Sequence, residues 1–528
     1  MMGLHVLVAI LSASLELTLS GPSVERVVYP RLLQARGANG EKLLHIKDGL
    51  TLHLEKTSVL AENFILTTFQ GGNQIHTAMN GKELEKNVYR DRKQAAAVSV
   101  EEHDGTLEVR GALSQKLRIA PSPLMARSED GQIAHEIFEI EQRGDFRSDY
   151  IVPPTLKVQE RSMIYRHRHA RVPVNFTVEV AFLIEKFIYR EFKNDSHILP
   201  YLAMSLVLIN MRYDDTFDPH IQFILVHVFL GKTSDPVSRT MYEKDMARPD
   251  GPRKLYMQSD NTLRKLAEAV EDQTLDTTAD IVVMLTALDL ADKNGTDIHN
   301  SVLGVAYLGG VCSVSLQAAL SEDHAYTFSM VGVTAHELAH ALGCVHDGYK
   351  PIYVTAGKKV SVCDPKDGYA MAPVAGGKNF GVFSQCTLEQ LSSFAGTLSQ
   401  RCFDILERNP YRMPGKPFPG KDWNLYPGRS LNKAFFCKSL YPQFWSVAAE
   451  DRPGYSSRCK LVCCPKYHQK CYVHDMTDGM ECGSNKVCWR HMCAEPGKHS
   501  TARPRRTTTP TPTRRTFKWT RYSWGRSG

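Results

Sequence analysis

The feature that most constrains this chain is a twelve-residue run, HELAHALGCVHD, from His336 to Asp347. His336 and His340 are four apart, a spacing that sets both imidazoles on one face of a helix. The preceding run FSMVGVTA, from Phe328 to Ala335, is consistent with that helix. Gly343 lets the chain leave the helix through a left-handed turn, which brings His346 round as a third nitrogen ligand. Three imidazoles leave the fourth position of a tetrahedral zinc ion (Zn2+) open to water, the arrangement of a catalytic site. Glu337 follows the first ligand on the water side and is the natural general base. The bland alternative is histidines merely satisfied on a helix. It leaves the fixed Glu, Gly and Asp of the same twelve positions without a reason.

The thirteen cysteines are unevenly placed. None precedes Cys312; five lie from Cys312 to Cys402 and eight from Cys437 to Cys493. Eight cysteines packed this densely read as a disulfide framework made in an oxidising compartment. A zinc ribbon is the competing reading, and the paired C-x2-C spacings it needs are absent. At the N-terminus, Leu4 to Ala13 is an apolar run of signal-peptide length, and Thr18 and Ser20 suit cleavage near Ser20. The run lacks a basic flank, and Glu16 follows it. Leu199 to Met211 is apolar but too short to span a bilayer, so it reads as a buried helix. The expectation is a secreted, extracellular chain with no transmembrane segment.

At 528 residues, 42% hydrophobic and 23% charged, the chain is neither wholly disordered nor a coiled coil, and it is long enough for several domains. Of the net +7, about +8 sits between Ala494 and Gly528, where nine Lys/Arg face one acid. The remaining body is close to neutral, which argues against a nucleic-acid binder. Before residue 171, runs such as LTLHLEKTSV and GTLEVRGA alternate like strands. Arg168 and Arg171 then form a minimal basic processing site, or else an ordinary exposed loop. From about 172 the pattern alternates strand and helix: strands at Phe176–Ile184, Gln222–Leu230 and Asp280–Leu288, helices at His197–Met211 and around Leu263–Val270. Asn175, Asn194 and Asn294 begin glycosylation sequons. Pro410 to Gly428 reads as a linker, and the Thr/Pro-rich basic tail cannot bury a core.

These motifs carry a resemblance. HELAHALGCVHD resembles the metzincin signature of zinc metalloproteases, and Asp347 after the third histidine resembles the reprolysin (adamalysin) branch. GYAMAP supplies Met371 where that family has a methionine turn beneath the zinc. GVAYLGGVCS, from Gly304 to Ser313, resembles its substrate-pairing edge strand. FSQC (Phe383 to Cys386) and Cys402 resemble its closing helix region. DGMECGSNKVCWRHMC, from Asp478 to Cys493, resembles a segment of secreted reprolysins with thrombospondin modules, although such modules are absent. The whole arrangement looks like the salivary metalloproteases of ticks.

The resemblance implies an α/β fold: a metzincin-like catalytic domain with a mixed, mostly parallel sheet and long helices, preceded by a β-rich propeptide and followed by a small disulfide-rich domain. The boundaries are 1–20 signal peptide, 21–171 propeptide, 172–410 catalytic domain, 411–436 linker, 437–493 cysteine-rich domain and 494–528 basic tail. His336, His340 and His346 would hold zinc, and Glu337 would move a proton from water to the leaving amine. The substrate peptide would add as a strand along Val305 to Gly309. Asp347 would accept hydrogen bonds near the methionine turn and fix the ligand loop. The family pairs Cys312 with Cys402 and Cys363 with Cys386. That leaves Cys344 over, either as a buried thiol or as a bridge elsewhere. Many relatives keep latency with a propeptide cysteine; here residues 21–171 would need sterics or a different ligand. Glu179 and Asp280 fall where the family has acidic calcium (Ca2+) ligands, whereas FDILERNP after Cys402 does not match that site. Expected substrates are extracellular proteins such as fibrinogen, fibrin or matrix, either of a blood-feeding host or of the organism itself. The basic tail suits glycosaminoglycans or anionic surfaces, against the plainer reading of a solvated tail. A second class of function is an anti-haemostatic or anti-adhesive binding protein acting through the cysteine-rich domain and tail.

Overall fold

The computed structural model describes residues 27–33, 41–70, 73–141, 144–153, 172–243, 254–294, 297–313, 315–355, 357–403, 432–441, 444–466, 471–476, 479–489 and 492–495. The signal-peptide reading, Arg168 and Arg171, and most of the linker and tail lie outside these residues. Among the described residues no helix is long and apolar enough to cross a membrane.

The alternating runs before residue 171 form a nine-stranded antiparallel sheet. LTLHLEKTSV gives the strand Leu50–Lys56 and GTLEVRGA gives Thr106–Ala112. Leu44, Leu52, Leu54, Val98, Val109 and Ile119 turn inward into one cluster, as the period of two requires.

A second sheet carries the site. Its strands in chain order are β1 (Leu60–Gln70), β2 (Asn73–Asn80), β3 (Tyr150–Ile151), β4 (Asn175–Ile184), β5 (His220–Leu230), β6 (Ile281–Thr286), β7 (Gly304–Tyr307) and β8 (Ala318–Glu322). In space they run β3-β7-β8-β6-β4-β5-β1-β2. The stretch β8-β6-β4-β5-β1 is parallel throughout. β7 opposes β8, and β2 opposes β1. The central strands read as continuous apolar runs because both their faces are buried. On one face Val178, Val180 and Phe182 pack with helix α1 (Ile198–Tyr213). On the other, Ala181 and Leu183 pack with helix α2 (Ser259–Glu271). The mixed, mostly parallel sheet and its flanking helices match the expected α/β class.

The expected boundary at residue 171 does not divide the sheets. β1, β2 and β3 all precede it, yet they complete both edges of the second sheet. An open edge presents unpaired backbone groups, and the upstream segment satisfies them on both sides.

All eight cysteines of the C-terminal cluster are paired: Cys437–Cys463, Cys459–Cys488, Cys464–Cys471 and Cys482–Cys493. This removes the zinc-ribbon reading. Cys312–Cys402 and Cys363–Cys386 pair as the resemblance implies. The disulfide-rich module shares its core with Leu33 and Leu43 of the first sheet.

Candidate metal centre

The helix α3 (Met330–Ala341) carries His336 and His340. Its start is fixed from a distance: Asp323, just past β8, accepts from Met330 N at 3.0 Å and from Ser329 Oγ at 2.8 Å. A carboxylate at that end satisfies an orphan N–H and complements the helix dipole. Tyr213 Oη donates to the carbonyl of Ala335 at 2.8 Å and ties α3 to α1. The helix ends at Gly343, whose φ is +82°. Gly343 N donates to His340 O, and Cys344 N donates to Ala339 O, at 2.8 and 2.9 Å. This is a Schellman closure, which needs a residue free to go left-handed. The chain then delivers His346 to the side of α3 that carries the other two rings.

The three histidines are fully buried and converge through Nε2. His336 Nε2 lies 3.0 Å from that of His340 and 3.2 Å from that of His346. His336 Nδ1 lies 2.6 Å from the Ala370 carbonyl, and His340 Nδ1 lies 2.7 Å from the Cys344 carbonyl. A carbonyl only accepts, so each Nδ1 carries the proton and each neutral Nε2 offers a lone pair. Burial pushes His340 down to about 4, which keeps it in that neutral form. Lone pairs facing one another across 3.0 Å repel unless a cation lies between them. A tetrahedral zinc with ligands at about 2.0–2.1 Å separates them by roughly 3.3 Å. The donor set therefore fits zinc.

Met371 is buried below the site, and its turn is part of the support. Ala370 O holds His336, and Asp347 N donates to Met371 O at 2.9 Å. Asp347 does reach the methionine turn, but through its backbone rather than its carboxylate as expected. The carboxylate accepts from Ser384 Oγ at 2.6 Å, and Ser384 caps helix α4 (Gln385–Ala395). Burial raises the Asp347 pKa.

Glu337 is fully buried, and neither carboxylate oxygen has a hydrogen-bond partner. Burial first, and the charge of Asp149 second, push its pKa well up. Its carboxyl rests on Gly304 at the head of β7, where a Cβ would come within 2.5 Å of Oε1. β7 thus runs beside the site, its first residue against the Glu337 carboxyl.

Two further sequence readings are settled here. Cys344 is the free cysteine and is buried; burial raises its thiol pKa well above the ordinary value. Glu179 and Asp280 are neighbours, but each binds the other's backbone: Glu179 N donates to Asp280 Oδ2 and Asp280 N to Glu179 O. They do not belong to any cluster of three or more metal-binding side chains among the described residues, and a calcium site is not supported.

Sequence reasoning missed Asp149. It comes from the segment before residue 171, is wholly buried, and joins the three histidines in one cluster. Its Oδ2 lies 2.9 Å from His336 Nε2, and its Oδ1 lies 3.3 Å from His340 Nε2 and 3.1 Å from His346 Nε2. Nothing local marks Asp149 among the many acids upstream. The one available hint was the lack of any cysteine before Cys312.

Comparison with known proteins agrees with this geometry. Residues 177–384 match the family Reprolysin_5, described as Metallo-peptidase family M12. The chain is 28% identical to venom metalloproteinase BumaMPs1 of Olivierus martensii, over 66% of this chain and 84% of that one. It is 27% identical to venom metalloproteinase antarease TserMP_A of Tityus serrulatus, over 61% and 82%. It is 29% identical to a disintegrin and metalloproteinase with thrombospondin motifs 13 of Homo sapiens, over 42% of this chain and 15% of that one.

Proposed function

Residues 177–384 form a reprolysin-type zinc metalloendopeptidase domain of the metzincin class, and on that premise we propose that the chain is a secreted endopeptidase acting on extracellular proteins. The observation that carries this reading is the convergence of three buried imidazoles beside the buried carboxyl of Glu337. His336, His340 and His346 are its metal ligands. Zinc held there would lend Lewis acidity to the scissile carbonyl and to the attacking water. Glu337 takes the water proton on a carboxylate oxygen and returns it to the leaving amine. The peptide lies along Val305 to Gly309 by backbone hydrogen bonding, which positions its carbonyl without dictating its sequence.

The rest of the chain follows from that role: 1–20 directs export, 21–171 is a propeptide, 172–410 is catalytic, 411–436 links, 437–493 is a disulfide-rich module and 494–528 is a basic tail for anionic surfaces. Six disulfides support an oxidising, extracellular setting. Two of the relatives are named as venom proteins, which supports substrates outside the producing organism, fibrinogen, fibrin or matrix protein among them.

The test is incubation of the chain, cut between residues 153 and 172, with fibrinogen and with gelatin. Cleavage that stops with 1,10-phenanthroline and returns with zinc is the expected result. Effects on a host protein that survive chelation would move the reading to binding through the cysteine-rich module.

A further inference from the structure

We propose that Asp149 is the fourth ligand of the metal in the uncut chain, and that the segment Gly144–Ile151 locks the enzyme by occupying the metal position and the substrate edge together. The inference rests on the zinc-peptidase reading above.

The carboxylate comes first. Asp149 is fully buried, and its oxygens face three nitrogens at 2.9 to 3.3 Å. Two of those rings have already committed their Nδ1 protons to the Ala370 and Cys344 carbonyls. Their Nε2 atoms are therefore acceptors. Burying an anion against acceptors is costly unless a cation sits between them. Three nitrogens and one carboxylate oxygen about one point make the four-coordinate set of a closed zinc site, with no position left for water.

The flanking residues hold that carboxylate in place. The Phe146 ring stacks on His336 with centroids 4.2 Å apart and 17° between planes. Phe146 N donates to the carbonyl of Pro373, beside the methionine turn, at 2.9 Å. Tyr150 covers His340 at 4.6 Å and meets His346 at 5.3 Å. Together these rings shield the metal position from solvent.

The same segment takes the edge. β3 runs parallel to β7, pairing Tyr150 with Ala306 and Ile151 with Tyr307. Ala306 N donates to Asp149 O, and Leu308 N donates to Ile151 O, both at 3.0 Å. These are the edge donors that a substrate strand would use. A substrate thus meets both requirements already filled, by ligand and by strand. The lack of any cysteine before Cys312 needs no other explanation for latency.

The experiment uses the full, uncut chain loaded with zinc, as wild type, Asp149→Ala and Asp149→Cys. Metal analysis gives zinc per chain. Fluorescence anisotropy gives the affinity for a labelled peptidyl hydroxamate, which needs an open metal position. Cobalt-substituted samples give the ligand-field spectrum. The expected result is one zinc per chain throughout and hydroxamate binding about 100-fold tighter in Asp149→Ala, the gain when a competent state rises from roughly 1% to full population. The cobalt spectrum shifts in Asp149→Ala, and Asp149→Cys, which restores an anionic ligand, returns binding to the weak level. A purely structural role would not be rescued by cysteine. Zinc in both forms with equal hydroxamate affinity overturns the lock and leaves the peptidase reading standing. No zinc in either form overturns both. Should Asp149→Ala fail to fold, Asp149→Asn keeps the shape and removes the charge, and unchanged hydroxamate affinity in it likewise overturns the lock.

Discussion

Gly343 shows how one residue can set a metal centre. Its φ of +82° is costly for any side chain, and a Cβ there would lie 2.4 Å from the Phe394 ring. Gly343→Ala should strain the turn by about 1–2 kcal/mol before the clash is counted. His346 should then be misplaced and zinc affinity should fall about 10–100-fold, the usual cost of lost support around a ligand. Zinc titration and a melting curve check this; wild-type values for both would contradict it. One position on, Cys344 is buried with a thiol pKa held well up. It should not react with a thiol reagent in the native chain, and should give one thiol per chain in denaturant. Native reactivity would contradict its placement. The histidines and Glu337 were legible in the sequence because helix geometry and one glycine fix them within twelve positions. Asp149 was not, because its place depends on a strand pairing between residues some 150 apart in sequence, and no local spacing encodes that.

At the scale of elements, the strands and helices from residue 172 onward were legible because continuous apolar runs mark buried parallel strands. What the pattern could not give was β1, β2 and β3 crossing the expected boundary at 171, since strand alternation does not name a partner sheet. That crossing has a chemical signature. His227 on β5 is 2% exposed, with Thr67 Oγ1 of β1 at 2.7 Å from its Nε2 and from His76 Nδ1 of β2. Burial, with His76 adding, pushes His227 down to about 3. The unfolded chain takes up a proton below about pH 6.5, while the native chain does not until about 3. The unfolded state therefore binds more protons in that window, and stability falls as pH falls through it. Urea midpoints should drop more steeply between pH 6.5 and 5 in wild type than in His227→Gln. Equal slopes would contradict this account of the junction.

At the scale of the molecule, the segment before 171 joins everything else. It builds the first sheet, closes both edges of the second, and supplies Leu33 and Leu43 to the core of the disulfide-rich module. Leu43 is 1% exposed, so Leu43→Ala should cost about 2–5 kcal/mol, as buried leucines do. It should also lower the melting temperature of the chain; an unchanged melting curve would contradict a shared core. That the dense cysteines form a disulfide framework and that the upstream alternating runs form strands was readable from spacing and alternation. Their mutual packing was not, because contacts between distant segments leave no periodic trace. The measurement that bears most directly on the central claim compares wild type and Glu337→Ala, each cut between residues 153 and 172, for zinc content and peptide hydrolysis. The account predicts one zinc per chain in both, with hydrolysis lowered at least about 10²–10⁴-fold in the variant, the scale of a lost general base. Near-normal hydrolysis by Glu337→Ala, or a cut wild type that holds no zinc, would contradict it.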